Sequence, residues 1–305
     1  MGEASVSTAG IGMTGDESIA GVLTLRRPNG PAVPLVLDSP HSGCRYPSDF
    51  GTIVPLRALR RSEDMHVEAL FGDAPEAGAT LLTAEFPRSY IDPNRSLTDV
   101  DPSLLDESWP GPVAPGEKAR LGHGLIWRLC PPDLPMYARR LSAAEVKGRI
   151  DGYWRPYHRA LGLALDRLHK RFGQVWLVNC HSMPAVTAPG AAPAAGRAGA
   201  DFVLGDRDHS TCDVDFTQFV RQVLREMGYR VRVNDPYKGV EIVRAHSDPA
   251  AGRHALQIEI NRGLYMDETS YERSEGFDAL RGNMALLTRH IADYIQARTL
   301  DMAAE

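Results

Sequence analysis

Two short apolar runs, each ending in a His-Ser pair, constrain this chain more than any other feature. Leu35-Val36-Leu37 leads into Asp38-Ser39-Pro40-His41-Ser42-Gly43, and residues 175–178 lead into Asn179-Cys180-His181-Ser182. Apolar runs of this length and composition read as buried strands. In open α/β sheets, ligand sites lie at the carboxyl ends of the strands. Two histidines delivered there from distant parts of the chain predict one site that uses two imidazoles. A divalent metal is the simplest reason to want them.

The rest of the chain supports that frame. Residues 33–37, 78–83, 175–178, 202–204, 229–233 and 255–260 read as strands, and residues 55–71, 213–227 and 277–298 as helices. Ser142 followed by Glu145 is a capping box that opens a further helix, expected to run to Phe172 with Pro156 as a possible kink and Gly173 as its stop. Strands alternating with helices predict a single α/β domain over residues 19–305, with a mixed, mostly parallel sheet flanked by helices. Residues 1–18 are small and polar and are expected to be a disordered tail. Residues 99–122, rich in Pro, Asp and Gly, and residues 187–200, rich in Ala, Gly and Pro, are expected to be loops, the second lying beside His181.

Composition excludes several classes. A net charge of −5 over 305 residues gives no electrostatic case for nucleic acid. No apolar run approaches a membrane span, and the N-terminus lacks the basic-then-apolar order of a secretory signal. A cytoplasmic protein is therefore expected. The four cysteines, Cys44, Cys130, Cys180 and Cys212, form no C-x-x-C pair and are expected to be mostly buried free thiols.

The candidate site grows from His41 and His181. A catalytic zinc site needs a third protein ligand, usually a carboxylate, and keeps one open position. Glu63 and Asp64 sit on the helix predicted after the first histidine strand. Asp64 is favoured because Val67 and Phe71, at helical spacing, put it on an apolar face; Glu63 is the alternative, and both could simply be acidic residues of a helix first turn. In the strand around residues 255–260, Gln257, Glu259 and Asn261 share a face. A carboxylate placed there is costly to bury, so Glu259 should have a raised pKa and suit a general base, unless it only pairs with Arg262. Arg88, Asp92, Asn94 and Arg95 bracket a turn. Asn94 and Arg95 could seat a carboxylate and Arg88 could stabilise an oxyanion, or the turn could be held by Asp92–Arg contacts alone. Arg244 and His254 flank the loop before the Glu259 strand and could supply a second carboxylate clamp. The loop containing Asp206 and His209 is a weaker candidate for that role, and the segment from Gly122 to Arg128 could cover a substrate.

Taken together, His41-Ser42-Gly43, Glu63-Asp64, Asp92-x-Asn94-Arg95, Cys180-His181-Ser182, Asn234-x-x-Tyr237-Lys238-Gly239 and His254-Ala-x-Gln257-x-Glu259 through Glu268 resemble the N-formylglutamate amidohydrolases. That family is similar in fold to the zinc carboxypeptidases and to the aspartoacylase and succinylglutamate desuccinylase enzymes. The resemblance implies metal-dependent hydrolysis of a small N-acyl acidic amino acid. It implies His41 and His181 as ligands of zinc or another first-row divalent ion, Asn94 and Arg95 on the substrate carboxylate, and Glu259 as base. The carboxypeptidase pattern places a glutamate three residues after the first histidine. Here that residue is Cys44, which leaves Asp64 or Glu63 to complete the site. Two rival readings stay open on the residues alone: a metal-free hydrolase built on Cys180 or Ser182 with His181, and a non-catalytic carboxylate-binding protein on the same scaffold.

Overall fold

The computed structural model describes residues 16–185 and 199–304, with side chains to Thr299. Most of the tail expected over residues 1–18 and of the loop expected over 187–200 lies outside the described residues. The tail reading is too long at its end, because Glu17 and Ser18 already belong to a strand paired with the next one.

The described residues form ten strands: β1 (Glu17–Ile19), β2 (Leu23–Arg26), β3 (Leu35–Ser39), β4 (Thr80–Ala84), β5 (Leu129–Cys130), β6 (Leu134–Pro135), β7 (Val175–Met183), β8 (Phe202–Gly205), β9 (Val231–Val233) and β10 (Arg253–Asn261). The helices are α1 (Leu56–Leu59), α2 (Val67–Leu70), α3 (Glu117–Arg120), α4 (Ala143–Arg149), α5 (Arg155–Phe172), α6 (Val214–Glu226), α7 (Glu241–Ala245) and α8 (Phe277–Ala304). Eight strands form one sheet in the order β1-β2-β4-β3-β7-β10-β8-β9. Its centre, β4-β3-β7-β10, is parallel, and β2 and β8 flank it antiparallel. The mixed, mostly parallel α/β sheet expected from the sequence is present. Among the described residues no helix is long and apolar enough to cross a membrane.

Both faces of the sheet are covered. Alternate residues of the central strands, such as Val36, Leu177 and Ala255, pack under α5 with Tyr157, Leu161, Leu165 and Leu168. The spacing of those four is that of one helix face. The other face, including Leu37, Val178 and Ile258, packs under α6 and α8. A strand buried on both sides reads as a continuous apolar run, which is why β3, β7 and β10 stand out in the sequence.

The first face changes character part-way along. After Val36, Leu177 and Ala255, the next same-face positions are Asp38, Asn179 and His181, and Gln257 and Glu259. Register aligns them into rows: Asp38 and Gln257 lie opposite Asn179, and Glu259 lies opposite His181. The end of the sheet is thus polar on the α5 side and still apolar on the other. The strand holding His181 runs on to Met183, longer than expected, so the histidine is fixed within the ladder.

Two helix expectations change. The helix expected over residues 55–71 is broken into α1, a 3-10 turn (Arg60–Ser62) and α2. Glu63 is extended and His66 is left-handed at φ 66°, so Asp64 sits in the break. The helix opened by the Ser142–Glu145 capping box does run to Phe172, but through a π-helical turn (Ile150–Trp154) that delivers Pro156 to the first turn of α5. Cys44 is exposed, unlike the other three cysteines.

Gly43 carries the chain from His41 back over β4. A Cβ there would lie 2.3 Å from the Phe86 carbonyl oxygen and 2.5 Å from the Glu85 carbonyl carbon. Gly43→Ala is therefore expected to cost roughly 1–3 kcal/mol of stability by overpacking against backbone, read as a lower denaturant midpoint at unchanged slope.

Candidate metal centre and active site

His41, Asp64 and His181 meet at the polar end of the sheet. One ligand atom from each lies within 4.8 Å of the others, and all three residues are buried. His41 arrives from the loop after β3 and His181 from within β7. Asp64 is placed by the helix break: its N–H donates to the His41 carbonyl at 2.9 Å. The apolar-face argument rests on a wrong premise, since no helix carries Asp64, yet Asp64 and not Glu63 faces the two imidazoles. Glu63 turns away, accepting from the Tyr46 hydroxyl at 2.5 Å and from Arg60 at 3.3 Å.

Partners behind the two rings decide which nitrogens face the centre. His41 Nε2 lies 2.7 Å from Asp92 Oδ1. Asp92 is fully buried. Against that burial, Arg88 and His41, with Arg95, hold its carboxyl well below the usual range. An ionised Asp92 accepts, so His41 Nε2 carries the hydrogen. Arg88 Nε and Nη2 fix the other Asp92 oxygen at 3.1 and 2.9 Å. His181 Nε2 lies 2.8 Å from Asn179 Oδ1, and the Asn179 amide donates to Asp38 Oδ1 at 2.9 Å. The Asn94 amide nitrogen lies farther from the same atom, at 3.1 Å, so the shorter Asn179 contact assigns the hydrogen to His181 Nε2. Burial, then the nearby His41, pushes His181 down to about 4, so its ring is neutral.

Both Nδ1 lone pairs consequently point at one carboxylate oxygen. Asp64 Oδ2 is 3.0 Å from His181 Nδ1 and 3.4 Å from His41 Nδ1, and the latter has no hydrogen-bond partner. Burial would raise the Asp64 carboxyl; positive charge shared with the two imidazoles, as protons or as a cation in their place, holds it well below the usual carboxylate range. Its other oxygen accepts from Arg262 Nη2 at 3.0 Å, and the same nitrogen donates to the Glu63 carbonyl at 2.7 Å. Two imidazole nitrogens and a carboxylate oxygen converging in a buried place could hold a cation, and the Asp92 carboxylate behind His41 is the kind of support that metal-binding histidines carry.

Beside this group lies Glu259, accepting from Gln257 Nε2 at 2.9 Å. Burial first, and then the Asp64 charge, push it up to about 8. Arg262 donates instead to Asp64, Ser182 and the Glu63 carbonyl, so a simple Glu259–Arg262 pair is not what holds the glutamate. These residues open on a cleft of about 370 Å³. Among the described residues six cationic ones line it, Arg61, Arg88, Arg95, Lys118, Lys238 and Arg262, against Asp64 and Glu259 as acids.

The other sequence candidates divide. Asn94 and Arg95 line the cleft, but each is partly committed: Asn94 Oδ1 accepts from the Ile242 N–H at 2.9 Å, and Arg95 donates to the His123 and Asn94 carbonyls at 3.1 and 2.9 Å. His123 and Trp127, from the segment expected to cover a substrate, also line it, with Arg88 over the Trp127 ring at 5.4 Å. Arg244 is not brought to the cleft. It pairs through two nitrogens with Glu241, one turn back on α7, and is itself exposed while Glu241 is largely buried. His254 is also elsewhere: it opens β10 opposite Trp176, stacks on that ring and accepts from the Asp213 N–H. Cys180 faces the α6–α8 side and Ser182 Oγ accepts from Arg262, so neither approaches His181 as a nucleophile. Sequence reasoning undervalued Asp92, Asn179 and Arg262, whose importance lies in contacts across the fold. It missed Asp38 entirely, although a charged residue inside an apolar strand was a visible signal.

A model of the family described as N-formylglutamate amidohydrolase matches residues 33–266. An N-formylglutamate deformylase of Pseudomonas putida is 30% identical over 249 residues, 78% of this chain and 83% of that protein. The N-formylglutamate deformylase of Pseudomonas aeruginosa is 29% identical over 246 residues, 77% of this chain and 83% of the other. The crystal structure of N-formylglutamate amidohydrolase from Ralstonia eutropha JMP134 is similar with a TM-score of 0.85 and 50% identity, over 91% of this chain and 99% of that one.

Two outcomes are expected. Arg262→Met, which leaves Asp64 without its orienting partner, should weaken zinc binding roughly 10–100-fold in a competition titration against a chromogenic chelator; wild-type affinity would mean that Asp64 needs no such support. Asp38 is raised by burial from 3.8 to about 7, despite hydrogen bonds from Asn179 and Tyr157. The fold thus favours its neutral form, and that stabilisation is complete below about 4 and lost as pH rises through about 7. Relative to Asp38→Asn, the wild type should weaken by about 1.4 kcal/mol per pH unit across that window, measured by denaturant unfolding. A pH-independent difference would show that Asp38 does not titrate there.

Proposed function

The chain belongs to the N-formylglutamate amidohydrolase family, and from that premise we propose that it hydrolyses the amide bond of an N-acyl acidic amino acid, N-formyl-L-glutamate above all, releasing formate and the amino acid. The observation that carries the reading is the convergence of His41, Asp64 and His181 beside Glu259, in a cleft whose cations outnumber its acids. A dianionic amino-acid derivative suits that charge balance.

His41 Nδ1, His181 Nδ1 and Asp64 Oδ2 would hold the metal, and two nitrogens with one carboxylate favour zinc over other first-row divalent ions. When bound, the ion would polarise the acyl oxygen, lower the pKa of water towards ~7, and offset the Asp64 charge that keeps Glu259 protonated. Glu259 takes a proton from the attacking water and returns it to the leaving amine as the C–N bond breaks. Gln257 holds the carboxyl in place for both transfers. Arg95, with Nη2 left over from its backbone contacts, takes the α-carboxylate. Asn94 sets the wall beside His181. Arg88 keeps Asp92 on His41 and has Nη1 to offer to the developing oxyanion.

The test is formate release from N-formyl-L-glutamate by chelator-stripped protein and by the same protein after zinc is restored. Activity should return with zinc, and Glu259→Gln should lower kcat by ~10²–10⁴-fold while bound zinc stays at the wild-type level. Full activity without metal, or a Glu259→Gln variant near the wild-type rate, would refute the mechanism.

A further inference from the structure

Pro236, Tyr237, Lys238, Gly239 and Val240 form one wall of the cleft. They lie in irregular backbone between β9 and α7, so no strand ladder or helix holds them. The chain fixes this wall by other means. At its entry Asn234 is left-handed at φ 57° and pairs reciprocally with Asp206. Asn234 Nδ2 donates to Asp206 Oδ1 at 2.7 Å, and the Asp206 N–H donates to Asn234 Oδ1 at 3.1 Å. Asp206 is buried and also accepts from the Thr217 hydroxyl and from both the backbone and ring nitrogens of His209.

The wall then lies directly on the end of β8. Arg207 donates to the Lys238 carbonyl through its N–H at 2.7 Å and to the Gly239 carbonyl through Nη1 at 3.2 Å. A Cβ on Gly205 would lie 2.6 Å from the Lys238 carbonyl carbon, so only glycine allows this approach. At the exit the Ile242 N–H is held by Asn94, whose amide nitrogen is 3.1 Å from His181 Nε2. Both ends of the wall are therefore anchored, one to Asp206 and one beside the metal-site histidine.

Lys238 is the one charged side chain on this wall. Its Nζ donates to Asp208 at 2.8 Å, in a pair that is more than half exposed on both sides. Exposed ion pairs contribute little, so a substrate carboxylate can replace Asp208 at small cost. We propose that this wall determines specificity: Lys238 reads the side-chain carboxylate of the substrate, and Asp206 is the positioning residue that holds Lys238 in place. The proposal rests on the function given above. There the α-carboxylate shares a carbon with the scissile nitrogen and belongs near Arg95. The side-chain carboxylate lies two methylenes farther out, which suits a cation at the mouth.

The test compares kcat/KM for N-formyl-L-glutamate with that for N-formyl-L-glutamine, its neutral isostere. Wild type should favour the glutamate. Lys238→Met should lower the glutamate/glutamine ratio about tenfold or more, through KM for the glutamate substrate. Asp206→Ala should lower the ratio in the same direction with kcat changed far less than KM, and Asp206→Asn, which keeps an oxygen for Asn234, should recover most of it. A wild-type ratio in Lys238→Met, a collapse produced instead by Lys118→Met, or an Asp206→Ala loss confined to kcat would overturn the proposal. Failure of wild-type protein to hydrolyse either substrate would remove the functional reading itself, and needs no variant to detect.

Discussion

The Asp64 carboxylate, buried between two imidazole nitrogens, is the interaction around which the rest of this structure is arranged. An anion with no access to water is costly, and the neighbouring lone pairs make it worse unless positive charge is near. Arg262 supplies part of that charge from behind. The remainder is the part a metal ion would supply. Each member of the trio is held by a partner that is itself held: His41 by Asp92 and Arg88, His181 by Asn179 and Asp38, Asp64 by Arg262. Such nested support fixes ring rotation and tautomer, which a metal site needs and an ordinary core does not.

The sheet makes this possible by changing character along its length. In β3, β7 and β10 the side chains facing α5 are apolar at the strand beginnings and polar at the ends. Register then places Asp38, Asn179 and Gln257 in one row, with His181 and Glu259 in the next. The row behind is buried: Asp38 takes both the Asn179 amide and the Tyr157 hydroxyl, and Gln257 gives its amide nitrogen to Glu259. The row in front opens on the cleft. The same geometry raises Glu259 by desolvation and by the Asp64 charge, and so readies a carboxyl that can both take and give a proton.

Much of this was legible in the residues. The central strands announce themselves because strands buried on both faces read as unbroken apolar runs, and the alternation inside them correctly separates His181 from Cys180 and groups Gln257 with Glu259. The helix break at Glu63 was not legible, because residues 55–71 carry a helical apolar spacing that tertiary contacts override. Arg244 and His254 were misplaced for a related reason. Proximity to a functional strand in sequence says nothing about which end of the strand a residue occupies, and His254 opens β10 while Glu259 nears its close. Contacts that join distant segments, such as Arg262 to Asp64, have no local signature at all.

The account stands or falls on what His41, Asp64 and His181 hold. Crystals of zinc-replete protein, measured on both sides of the zinc absorption edge, test it directly. The account predicts one strong anomalous peak within bonding distance of His41 Nδ1, His181 Nδ1 and Asp64 Oδ2, with Glu63 outside the coordination sphere. A protein that takes up no zinc, or an anomalous peak anywhere else in the molecule, would contradict it.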